Sequence, residues 1–197
     1  PITKLVISQV VGKRNEQTIC AMVEETAARI DRMGKLPAIF TDGERCYKGL
    51  ILKAFGTVYY KGRGKLPHYR VPHDLVYAQV IKHRQNGKVT DVEVRPIWGK
   101  TKLDAVLLKL GWNKVNTSAV ERFNLTDRTC NTRKMRKTLR FSKRHWYHDA
   151  MSFITLAWYN FHNVHRSLDM TPAMAAGMAL TPYSTIQLLR LNTIALR

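Results

Sequence analysis

The spacing of apolar positions changes several times along the first sixty residues. Lys4 to Val11, Lys-Leu-Val-Ile-Ser-Gln-Val-Val, is rich in β-branched residues and predicts a strand. From Glu16 to Met33 the apolar residues Ile19, Val23, Ala27 and Ile30 recur at helical spacing, and Gly34 stops the helix. Pro37 to Thr41 is a short apolar run that predicts a buried strand, with Asp42 at its exit and Gly43 directly after. Glu44 to Phe55 sets Tyr47, Leu50, Ile51 and Ala54 on one face of a second helix, and Thr57 to Tyr60 predicts another strand. The order β-α-β-α-β points to an α/β layer fold.

Lys61 to Pro72 reads as a basic loop broken by Gly and Pro. Tyr77 to His83 and Val89 to Ile97 alternate around Asn86-Gly87, the strongest short hairpin signal, and the tip carries Lys82, His83, Arg84 and Lys88. Lys102 to Leu110 predicts a short helix. From about Ser118 the chain turns helical: Asn116-Thr117-Ser118 offers a cap, Glu121 falls in the first turn, and the helix is expected to run to about Leu139. It is densely cationic, with Arg122, Arg128, Arg133, Lys134, Arg136, Lys137 and Arg140. Ser142 to Val164 predicts a further helix with Trp146, Ala150, Phe153, Ala157 and Phe161 as its stripe. Thr171-Pro172 caps a short helix over Ala173 to Met178, and Ile186 to Leu191 predicts a last one. No repeat or low-complexity segment interrupts the chain.

Charge sharpens this picture. The 197 residues are 45% hydrophobic and 24% charged, with a formal net charge of +19 and a pI near 10.2. Such an excess on a folded chain points to a polyanion, with nucleic acid ahead of a membrane surface, since no separate basic amphipathic helix stands out. No apolar run approaches membrane-spanning length. The three cysteines, Cys20, Cys46 and Cys130, are far apart and odd in number, which argues against a disulfide framework and suits a reducing cytoplasm.

The candidate chemistry rests on Asp42 and Glu121. A carboxylate at a strand exit and another on a distant helix are donors of the kind that Mg²⁺ or Mn²⁺ takes, and two such ions can clamp the attacking and leaving oxygens of a phosphodiester. At helical spacing Thr117, Asn124 and Arg128 share a face with Glu121. Plainer roles stay open at this point. Asp42 can cap a turn or the helix that follows, and Glu121 can complete a capping box with Ser118.

Three stretches, IFTDGERCY, VNTSAVERFNLTDRTCNTRKMRKTLRFSK and YNFHNVHRSLDMTPAMAAGM, together resemble DDE-class transposases of prokaryotic insertion sequences, in particular the insertion-sequence-one group. The resemblance covers nearly the whole chain. It implies a ribonuclease-H-like α/β fold: a mixed sheet flanked by helices, with a β-hairpin insertion at about 73–100 and a helical C-terminal part. The catalytic core would span 1–142 and the helical extension 143–197. The implied activity is metal-dependent cleavage at transposon ends followed by strand transfer into target DNA, with two Mg²⁺ or Mn²⁺ ions. Asp42 matches the second acidic residue, Glu121 the third, and Arg128 a basic position that follows it. In relatives the first strand ends Asp-Pro-x-Thr-Lys, whereas this chain opens Pro1-Ile2-Thr3-Lys4. The first acidic residue is therefore expected directly before Pro1, and this chain alone is expected to be an incomplete, inactive fragment. DNA, a homo-oligomeric active complex and a nucleoid-associated cytoplasmic location in a prokaryotic cell follow from the same resemblance.

For DNA contacts the expected residues are Arg128 with Arg133, Lys134, Arg136, Lys137 and Arg140, and the basic loop residues Lys61, Arg63 and Lys65, with Arg70 beyond them. His145 with His148, and His162 with His165, are spaced three apart on helices. They read as ordinary histidines rather than a zinc pair, and His165-Arg166 is a further phosphate candidate. Trp146, Phe153, Trp158 and Phe161 are expected in the core. A nuclease without strand transfer and an inactive DNA-binding remnant are the alternatives. An RNA-binding module gains little, since no aromatic strand motif of the RRM kind is present.

Overall fold

The computed structural model describes residues 2–31, 36–62, 64–135, 137 and 139–190. The chain divides into two compact units, residues 12–118 and residues 1–11 with 119–197. The expected catalytic core, 1–142, takes in all of the former and part of the latter.

In the unit 12–118, helix α1 spans Glu16–Asp31. Asn15 caps it, its side-chain oxygen accepting from the Thr18 amide at 3.0 Å. Met33 and Gly34, the expected end of this helix, lie outside the described residues. Strand β1 (Ala38–Asp42), helix α2 (Cys46–Phe55), strands β2 (Thr57–Tyr60) and β3 (Pro67–Arg70), strands β4 (Val76–Gln85) and β5 (Lys88–Trp98) and helix α3 (Lys100–Leu110) follow. β1, β4 and β5 form a three-stranded mixed sheet in that order, with β1 parallel to β4 and β4 antiparallel to β5. The hairpin between β4 and β5 turns at Asn86 and Gly87, both at positive φ, as their sequence predicts. Gly99 turns β5 into α3 at φ 67°, where an added Cβ would stand 2.7 Å from the Leu75 carbonyl oxygen.

The sheet is covered on both faces, which explains the unbroken buried run Val76–Val80 on its central strand. Val76, Ala78 and Val80 face one way and pack with Leu103 of α3, Val115, Phe40 and Val94. Leu75 and Tyr77 face the other way, against Val23 of α1 and Ile51 of α2. This is a mixed α/β layer arrangement, as the apolar spacing implied. Two details differ from the expected order. β2 does not join the sheet. It pairs antiparallel with β3, inside the segment expected to be a loop, and the two make a separate ribbon. Pro67 is tolerated there because it opens its strand.

The other unit holds α4 (Ser118–Cys130), a 3-10 turn at Thr132–Lys134, α5 (His145–Ala157) running into a π-turn at Trp158–His162, α6 (Pro172–Ala175) and α7 (Thr185–Leu189). Among the described residues, the expected strand Lys4–Val11 joins no sheet. It is held instead by the buried Asn160, whose amide accepts from Val6 N at 3.0 Å and donates to Val6 O at 2.9 Å, so one side chain stands in for a neighbouring strand. The stripe on α5 is also shorter than expected. Ala157 and Phe161 are buried, but Trp146 is 56% exposed and stacks on Tyr147. The Thr171 cap forms as expected, its hydroxyl accepting from Met174 N at 3.2 Å. Ser184 and Gln187 make a reciprocal capping box on α7. Among the described residues no helix is long and apolar enough to cross a membrane.

Candidate functional site

Asp42 ends β1 and is exposed at the carboxyl edge of the sheet, where α/β sheets bind their ligands. Its Oδ1 accepts from Glu44 N at a long 3.4 Å, and α2 begins only at Cys46 without a side-chain cap. The turn role is therefore weak and the helix-cap role is not taken. Behind Asp42, the Thr41 hydroxyl shares a 3.0 Å hydrogen bond with the Tyr77 hydroxyl, and Gln79 Nε2 donates to the Glu44 carbonyl at 3.2 Å. These contacts fix the strand exit from the core side and leave the carboxylate outward.

Tyr47 feels that carboxylate. Burial, reinforced by the negative charge of Asp42, pushes its phenol up from 10.0 to about 12. A raised folded-state value means stability that is present below pH 10 and lost as pH climbs towards 12. Tyr47→Phe is expected to flatten the loss of stability between pH 10 and 12, measured by urea denaturation across that window. An unchanged slope would place the phenol in water.

Glu121 lies in the first turn of α4 and is exposed, as are Asn124 and Arg128 further along it. The Ser118 amide and hydroxyl both donate to Asn116 Oδ1. Asp42 and Glu121 thus belong to different compact units, and each is an outward carboxylate on a regular element. As hard oxygen donors they suit Mg²⁺ or Mn²⁺. Two carboxylates fall short of the three that the resemblance implies, and among the described residues no group of three or more His, Cys, Asp or Glu gathers.

The cationic segment departs most from expectation. α4 stops at Cys130, not near Leu139, so the run from Arg133 to Arg140 does not prolong the helix that carries Glu121. The stop is a polar one. Buried Asn131 is extended, with φ −115° and ψ 94°, and its side chain accepts from Arg133 N at 3.1 Å. Lys134, expected on DNA, turns inward, its Nζ 2.7 Å from buried Asp127 Oδ2 and its side chain 12% exposed. Gln9 Nε2 donates to the same oxygen at 2.9 Å. Arg133 is half-buried and reaches Ser142 Oγ at 3.4 Å, whereas Lys137 and Arg140 are exposed. Arg136 and Arg63 lie outside the described residues. Lys61 and Lys65 are exposed beside the β2–β3 ribbon.

Three of these four histidines have partners among the described residues. His145 Nδ1 lies 3.1 Å from Asp149 Oδ2, and His162 meets the Tyr183 carbonyl. His165 Nδ1 lies 3.2 Å from Lys4 Nζ, and burial together with Lys4 and Arg122 holds its pKa below 6.5. The polar pair Asp127–Lys134, the Asn160 clamp and the β2–β3 ribbon have no counterpart among the sequence expectations. The signals for the ribbon are the strand expected over Thr57 to Tyr60 and the alternation in Pro67-His68-Tyr69-Arg70. Comparison of the chain with protein-family models, curated proteins and solved structures finds no match.

Proposed function

We propose that this chain belongs to a DDE-type transposase, acting on DNA by metal-dependent phosphodiester cleavage at transposon ends and strand transfer into a target. The observation that carries the reading is the exposed Asp42 carboxylate at the carboxyl end of a sheet strand, in a chain of net charge +19. The mixed α/β sheet is compatible with a ribonuclease-H-like core. Among the described residues β1 is an edge strand of the sheet.

In this reading Asp42 and Glu121 are each carboxylate ligands for a divalent ion, as is the acid that the resemblance implies. Two Mg²⁺ or Mn²⁺ ions would activate water and then the 3′-hydroxyl, and would offset charge on the phosphate. Arg128, two turns beyond Glu121 on α4, would hold a backbone phosphate. Lys137 and Arg140, with Lys61 and Lys65, would track the DNA backbone and give the affinity its salt dependence. DNA ends, target DNA and further copies of the chain are the partners implied, with a nucleoid-associated location in a prokaryotic cell.

The test is a donor-plus-target DNA assay in Mg²⁺ with a chain that includes the upstream segment. Joined product is the expected result. Cleavage without joining would replace the transposase with a nuclease. Binding without any cut, even in Mn²⁺, would leave a DNA-binding remnant.

A further inference from the structure

The β2–β3 ribbon carries an exposed aromatic column that neither the core nor the proposed metal site uses. Its register pairs Thr57 with Arg70 and Tyr59 with His68, so these four side chains share one face. The Tyr59 and His68 rings are stacked, with centroids 5.5 Å apart and planes 30° from parallel, and the Arg70 guanidinium sits 5.3 Å from the Tyr59 centroid. Tyr59 is 41% exposed and Tyr60, the next residue, 62%. An isolated two-stranded ribbon gains little from burial, and this one leaves large rings in water instead of covering them. The surroundings are of one sign. From Gly56 to His73 the chain has no Asp or Glu, but carries Lys61, Arg63, Lys65 and Arg70.

We infer that this face is a stacking platform for unpaired DNA bases, with Tyr59, His68 and Arg70 as the π surface and Lys61 and Lys65 beside the phosphates. The inference rests on the DNA reading above and narrows it to a single-stranded segment of the substrate. Every base offers a flat face, so a ring column of this kind binds with little sequence preference. In a duplex those faces are hidden by neighbouring pairs. The platform therefore distinguishes strand state, whereas the lysines attract both forms.

The experiment compares the full chain binding a labelled oligo(dT) and a labelled duplex of equal length, by fluorescence anisotropy across a salt series. Tyr59→Ala and His68→Ala are each expected to weaken oligo(dT) binding about tenfold, the scale of one lost base stack. Duplex binding should change less than about twofold, because no stack is lost there. Tyr59→Phe keeps the ring and should bind as the wild type does. Lys61→Ala with Lys65→Ala should lower the oligo(dT) salt slope by about 0.7 per charge removed. These side chains are exposed, so unchanged melting curves are expected for all variants. Oligo(dT) binding unchanged in both Tyr59→Ala and His68→Ala, or equal weakening on duplex, would overturn the platform while leaving the DNA reading intact. Tighter binding of oligo(U) than oligo(dT) would overturn the choice of DNA. A wild-type chain that binds no DNA would overturn the functional reading and the platform with it.

Discussion

Lys134→Met is expected to destabilise the unit that holds α4 by about 3–5 kcal/mol, read as a lower urea midpoint at unchanged slope. The lysine is the only cation paired with Asp127 among the described residues, at 2.7 Å, and both side chains are nearly buried. Removing it leaves a carboxylate in a low-dielectric pocket with a single remaining donor, Gln9 Nε2, on one oxygen. Among the described residues, the other carboxylate oxygen, Asp127 Oδ1, has no hydrogen-bond partner, nor do Gln9 Oε1 and Asn131 Nδ2. Asp127→Leu combined with Lys134→Met takes out both charges and is expected to recover most of the stability, since replacing a buried pair with apolar groups is often neutral or better. A loss below about 1 kcal/mol in the single variant would show that water reaches the pair and screens it.

That pair also explains why the cationic segment was the least legible part of the chain. Read by charge alone, Arg133 to Arg140 is a helical stripe for phosphate. Its fate is set by Asn131, whose side chain bonds forward to the Arg133 amide and ends α4, and by Asp127, which draws Lys134 inward. Both are local side-chain contacts, two and seven residues apart, and neither has a periodic signature. The sheet, by contrast, was readable. Its strands carry unbroken or alternating apolar runs, and the Asn86-Gly87 turn has few other uses. Lys4–Val11 misled because β-branched residues favour extended backbone whether or not a ladder partner exists. Asn160 supplies that partner from more than a hundred residues away.

For the candidate site, the sequence placed Asp42 at a strand exit and Glu121 in the first turn of a helix, and the structure places both there. What spacing could not supply was the competition for each group. Asn116 Oδ1 accepts from the Ser118 amide and hydroxyl, and the Glu44 amide holds Asp42 only at 3.4 Å. The roles of these carboxylates still rest on the resemblance and on the chemistry of hard donors.

In a chain that carries the acid expected before Pro1, Asp42→Asn and Glu121→Gln are each expected to remove metal-dependent cleavage. The loss should exceed the roughly 10–100-fold that altering an outer-shell partner of a metal ligand costs. Each change keeps the side chain's shape and replaces a charged oxygen donor with a neutral amide, which a hard divalent cation holds far less well. Both positions are exposed, so the fold should change by no more than about 0.5 kcal/mol. DNA affinity should hold or rise slightly, because each substitution deletes a negative charge from a chain that binds phosphate through its cations. Cleavage, DNA affinity and thermal melting measured on the same preparations separate the possible roles. Lost cutting with intact binding and melting marks a metal ligand, and normal cutting removes that residue from the site. Lost cutting together with lost melting would return the carboxylate to a structural role, as a cap on the turn after β1 or in the first turn of α4.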